Sequence, residues 1–88
     1  MTEREARIVN PLGLHARPAA RIVRMANGFV SEITIAKDGM AVNAKSIMGV
    51  MMLAAECGSS ITIKADGSDA EAAVDALLAL VAQGFGES

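Results

Sequence analysis

The chain has 88 residues, 52% of them hydrophobic, and a formal net charge of -2 at pH 7. That length suits one compact domain spanning residues 1–88, and that hydrophobic content excludes a disordered tail. The mixed charges and the near absence of aromatics (Phe29 and Phe85 alone) exclude the basic excess and stacking platforms of a nucleic-acid binder. Met1-Thr2-Glu3-Arg4-Glu5 lacks the apolar stretch of a secretion signal, and no apolar run is long enough to span a bilayer. Cys57 is the only cysteine, so no disulfide forms within the chain. These features lead us to expect a cytoplasmic protein.

Ala6 to Val9 reads as a first short strand, ended by the loop Asn10-Pro11-Leu12-Gly13. From Ala16 to Asn27 the spacing is helical: Ala19, Ile22, Val23 and Ala26 make one apolar face, while Arg17, Arg21 and Arg24 fall on another. Asn27-Gly28 reads as the stop, with Gly28 free to take positive φ. Val30 to Ala36 alternates as a strand, Asp38-Gly39 marks a hairpin, and Met40 to Ala44 is the return strand. Ser46 caps a short helix from Ile47 to about Ala54. Gly58-Ser59 precedes a strand from Ser60 to Ala65, and Ser68-Asp69-Ala70-Glu71 has the pattern of a capping box. The last helix carries Ala73, Val74, Leu77, Leu78 and Val81 on one face, stops at Gly84, and leaves Phe85 to fold back onto it. The order is βαββαβα, with helices expected on one face of a sheet and solvent on the other. Pattern alone leaves the strand order open, and a ferredoxin-like arrangement with an added helix reads much the same.

The segment that carries chemistry is Gly13-Leu14-His15-Ala16-Arg17-Pro18-Ala19-Ala20. His15, the only histidine, sits at or beside an N-cap, and Pro18 supports that placement because proline is tolerated in a helix's first turn. The amides of Ala16 and Arg17 then face an anion at the helix start, and the Arg17 guanidinium adds a fork suited to phosphate oxygens. The arrangement suits an imidazole that accepts a phosphoryl group. The bland alternative is a capping or surface histidine without chemistry. No acidic cluster for Mg²⁺ and no glycine-rich nucleotide loop accompany it, so the group would come from a partner and leave to one, without a cofactor. A lone His and a lone Cys do not make a metal site.

Gly13-Leu14-His15-Ala16-Arg17-Pro18-Ala19 resembles the active-site motif of the HPr family, phosphocarriers of the bacterial phosphoenolpyruvate-dependent phosphotransferase system. Lys45-Ser46-Ile47-Met48-Gly49-Val50-Met51 is similar to that family's regulatory serine segment, at matching separation. The resemblance spans essentially the whole chain. It implies an α+β, βαββαβα open-faced sandwich, a four-stranded antiparallel sheet with three helices on one face. It implies phosphorylation of His15 on Nδ1 by phospho-enzyme I, stabilisation by Arg17, and transfer to an EIIA-type domain. The protein would then be a stoichiometric carrier and no enzyme, working as a monomer. Ser46 would be a target of HPr kinase/phosphorylase; its bland alternative is an ordinary cap. A nitrogen-branch relay with the same histidine chemistry, and a ferredoxin-like binding module without phosphorylation, are the competing readings. Family members often carry lysine near the positions of Arg24, Asn27 and Gly49, so contacts at Asn27 and Gly49 are expected to differ.

Ile47, Met48, Met51 and Met52 share one face of the short helix, opposite Val50, Leu53 and Ala54. One short helix cannot bury both faces in so small a domain, so the methionine face is expected to be exposed and to dock partners. The alternative is that these methionines fill gaps in the core. Ala20, Arg21 and Arg24 are candidate docking residues beside the histidine, against the alternative of an ordinary solvated helix face.

Overall fold

The computed structural model describes residues 1–86. Four strands, β1 (Thr2–Arg7), β2 (Glu32–Lys37), β3 (Met40–Asn43) and β4 (Ser60–Asp66), form one antiparallel sheet in the order β1-β4-β2-β3. Three helices, α1 (Ala16–Ala26), α2 (Ile47–Met52) and α3 (Ala70–Ala82), are followed by a short 3₁₀ turn over Gly84–Gly86. A ferredoxin-like sheet would hold β1 inside; here β1 is an edge and β4 is central, which removes that fold. The expected open-faced sandwich is the observed one.

The period of two along β2 and β4 sends Ile33, Ile35, Ile61 and Ile63 to the helical face, where all four are buried. They meet Ile22 of α1, Val50 of α2, and Val74 and Leu77 of α3 in one aliphatic core. Each such side chain contributes roughly 1.5–3 kcal/mol when fully buried. The other sheet face carries Glu3, Lys64, Thr34 and Asn43 in one cross-strand row, as the register places them.

β1 covers the polar stretch Thr2–Arg7 rather than Ala6–Val9. As an edge strand it is held by its backbone pairing with β4, so most of its side chains remain in water and no apolar alternation marks it. Asp38 and Gly39, at φ 50° and 84°, make the β2–β3 hairpin turn that their sequence calls for. α1 stops at Asn27-Gly28 as expected, without the left-handed turn that Gly28 allows. Gly28 is not at positive φ; instead the Gly28 and Phe29 amides donate to Met25 and Ala26 carbonyls at 3.0 and 3.1 Å, closing the helix by i→i−3 bonds. The capping box at Ser68 does not organise α3 either. Asp69 is the N-cap, and its carboxylate turns away to accept from the Val30 and Ser31 amides at 2.9 and 3.0 Å and from the Ser31 hydroxyl. Three donors across the chain outcompete one local amide, and they bind the start of α3 to the entry of β2.

Candidate functional site

The site is built where α1 begins. His15 is the N-cap, half-buried, with extended backbone (φ -76°, ψ -172°). Its carbonyl accepts the first intrahelical bond, from the Ala19 amide at 3.0 Å, and its own amide donates to the Gly13 carbonyl at 3.0 Å. Helix geometry gives the amides of Ala16 and Arg17 no acceptor inside the helix, and Pro18, the next residue, has no N–H. The helix therefore presents a donor-rich, positively polarised end beside the imidazole.

The preceding loop is tightly fixed. Gly13 lies at φ 67°, and a Cβ on it would fall 2.3 Å from the Ala55 carbonyl oxygen, so only glycine fits. The Asn10 Nδ2 donates to the Gly13 carbonyl at 2.7 Å, and the Gly13 amide donates to the Asn10 carbonyl at 3.1 Å. The buried Leu14 donates its amide to Ala55, just after α2. His15 thus stands on a loop with almost no backbone freedom left.

His15, Ala16, Arg17 and Arg21 line one surface depression together with Pro11, Leu12 and Gly86. Among the described residues, no carboxylate lines it. The expected set is therefore partly assembled: Arg17 and Arg21 share the depression, whereas Arg24 lies outside it and Ala20 is half-buried. Pro11, Leu12 and Gly86 were not singled out from sequence. The first two precede the histidine motif directly, a signal that could have found them. Gly86 reaches the site only through a left-handed turn at the far end of the chain, which carries no local chemical signature. Among the described residues, no group of three His, Cys, Asp or Glu side chains is placed to hold a metal ion.

Ser46 is the N-cap of α2, and its Oγ accepts from the Gly49 amide at 3.1 Å. Beyond it Ile47, Met48, Met51 and Met52 are exposed, Met48 to 75%, while Val50 and Leu53 are buried. The methionines do not fill the core. Ala54 departs from the face expected for it: α2 ends earlier, Ala54 takes φ 50° and is exposed, and Ala55 is buried in its place. Cys57 is exposed, with Sγ 3.8 Å from the Val9 carbonyl oxygen.

The family model described as the phosphorylation site of the PTS HPr component matches residues 2–83. The chain belongs to the HPr family. It is 53% identical over 87 residues to the phosphocarrier protein HPr of Cupriavidus necator, covering 99% of this chain and 98% of that one. It is 51% identical over 81 residues to the HPr-like protein Crh of Halalkalibacterium halodurans, covering 92% of this chain and 96% of that one. The crystal structure of HPr-C-His from Thermoanaerobacter tengcongensis superimposes with a TM-score of 0.96 at 46% identity, over 100% of this chain and 99% of that chain. The function is accordingly that of an HPr-type phosphocarrier of the phosphotransferase system, whose partners are other proteins of that system. No helix among the described residues is long and apolar enough to cross a membrane.

Proposed function

We propose that His15 is the residue that carries the phosphoryl group. The observation behind this reading is the placement of the chain's only imidazole at the N-cap of α1, in one depression with Ala16 and Arg17, the first two helix residues. A ring nitrogen of His15, Nδ1 by the family resemblance, attacks phosphorus as the donor's phosphorus–nitrogen bond breaks. The donor imidazole recovers its electron pair, and the new dianion sits against the amides of Ala16 and Arg17 and the Arg17 fork. Phosphoryl transfer asks a protein chiefly for alignment and charge stabilisation, and a rigid loop with a cationic helix start supplies both.

Enzyme I, charged by phosphoenolpyruvate, is the donor, and a histidine on an EIIA-type domain is the acceptor. The chain works as a stoichiometric intermediate that takes the group from one protein and passes it to another, a reading its place in a family of phosphocarriers supports. The exposed face of Ile47, Met48, Met51 and Met52, with Ala20, Arg21 and Arg24 on α1, is the docking surface, since flexible thioethers suit several partners in turn. The chain works as a cytoplasmic monomer in this reading; solved relatives include an HPr dimer from Thermoanaerobacter tengcongensis.

Ser46 is the regulatory site, a target for HPr kinase/phosphorylase. A phosphate on its Oγ adds a charge of about -2 at the edge of the methionine face and weakens docking to enzyme I. The Ser46 segment supports the sugar branch over the nitrogen branch, which uses the same histidine chemistry.

Incubation with enzyme I and phosphoenolpyruvate tests the assignment. One phosphoryl group per chain is expected, absent from His15→Ala, and passed on to a sugar-branch EIIA domain. Transfer only to a nitrogen-branch EIIA domain would move the chain to that relay, and retention of the adduct in His15→Ala would remove His15 from the role.

A further inference from the structure

We infer that Arg21 is a second phosphoryl-holding cation of the His15 site, and that Gly86 is the residue that makes room for it. This rests on the reading that His15 carries the phosphoryl group, and it gives Arg21 a role other than docking. Arg21 stands four residues after Arg17 on α1, so the two guanidinium groups rise from the same helix face. Helical side chains lean toward the N-terminus, which tips Arg21 toward His15 rather than away from it. Both arginines line the depression that His15 lines, and Arg24, one turn further on, does not.

The end of the chain fixes where the Arg21 head lies. Gly84, Phe85 and Gly86 are all at positive φ (63°, 59° and 74°), a sharp left-handed turn. Phe85 anchors it: its side chain is 0% exposed and belongs to the core, although a bulky residue seldom adopts this backbone conformation. The turn lays Gly86 against Arg21, so that a Cβ on Gly86 would stand 3.2 Å from Arg21 Nη1. The Gly86 amide is already spent on the Gln83 carbonyl at 3.2 Å. Gly86 therefore offers the site space and not a hydrogen bond. A methyl group there pushes the guanidinium aside by a few tenths of an ångström, and the flexible arginine yields before the anchored turn does. With Arg17 and Arg21 together, a dianion on His15 meets two positive charges and the helix end.

Two measurements test this. The first is the equilibrium of phosphoryl exchange between phospho-enzyme I and this chain. The second is a titration of the unmodified chain with inorganic phosphate, followed by amide NMR shifts of Ala16 and Gly86. Arg21→Gln is expected to lower both the phosphorylation constant and phosphate affinity by about threefold, the size of one partly exposed ion pair, with Arg21→Lys in between. Arg21 is exposed, so these variants fold. Gly86→Ala strains the turn at φ 74° and lowers stability in either background, but it is expected to weaken phosphate binding in the parent and to leave phosphate affinity unchanged in Arg21→Gln, because it acts on the site through Arg21. Unchanged phosphate affinity and equilibrium in Arg21→Gln, with only a slower approach to equilibrium, would return Arg21 to docking and overturn the inference while leaving His15 as carrier. Phosphate binding that depends on Arg21, in a parent that takes no phosphoryl group from enzyme I, would uphold the cation pair and remove the carrier reading. Additive effects of Gly86→Ala and Arg21→Gln would remove Gly86 from its role.

Discussion

The Leu14 amide donates to the Ala55 carbonyl at 2.9 Å, joining the loop that carries His15 to the exit of α2. The two regions that bear the candidate chemistry are therefore mechanically one. The bond forms because Gly13 lies at φ 67° and lets the backbone close to within contact of Ala55.

Gly13→Ala is expected to break that junction. The new methyl group meets the Ala55 oxygen at 2.3 Å and the backbone prefers another conformation, a combined cost of roughly 1–3 kcal/mol. Urea unfolding should show a lower midpoint with an unchanged slope, and phosphoryl uptake should fall because His15 loses its footing.

Arg17 separates charge from geometry. Arg17→Ala is expected to slow phosphoryl uptake from phospho-enzyme I by roughly 10- to 100-fold, the size of a charge-assisted bond to a dianion. Arg17→Lys keeps the charge without the planar fork and should recover part of that loss. Rapid-quench kinetics at saturating enzyme I distinguishes the two.

Docking is tested on α2, away from the imidazole. Met48 and Met51 are exposed, so Met48→Ser and Met51→Ser should leave the melting temperature within about a degree or two. Each should raise the apparent KM for enzyme I several-fold with kcat little changed. Ser46→Asp, which adds charge at the same edge, should slow uptake from enzyme I as well.

Acid stability reports on Asp69. The Ser31 hydroxyl and the Val30 and Ser31 amides hold its carboxyl below the ordinary aspartate value of 3.8 in the folded protein. The unfolded chain thus binds a proton first as pH falls, so the contribution is present above pH 3.8 and is lost as pH drops through the lower folded value. The stability gap between the parent and Asp69→Asn should be constant near neutral pH and narrow below pH 3.8 in urea titrations.

Much of this molecule was legible in its sequence where side chains make the decision. The apolar alternation around Ile33, Ile35, Ile61 and Ile63 marks β2 and β4, and the i, i+3, i+4 spacing of Ala19, Ile22 and Val23 marks α1. His15 as a cap and the exposed methionine face of α2 follow from the same local rules. What escaped was decided by the backbone or at long range. β1 is held as an edge by main-chain bonds to β4 that leave no hydrophobic pattern. Asp69 ignores its own helix for donors 38 and 39 residues away. Gly86 joins the site only because Phe85 is drawn into the core.

The central claim is that His15 takes and gives a phosphoryl group. Its most direct measurement is the chemical stability and position of the adduct formed with enzyme I and phosphoenolpyruvate. An acid-labile, base-stable phosphoryl group mapped to His15 and absent from His15→Ala is the expected result. An acid-stable group, or one that persists in His15→Ala, would contradict it.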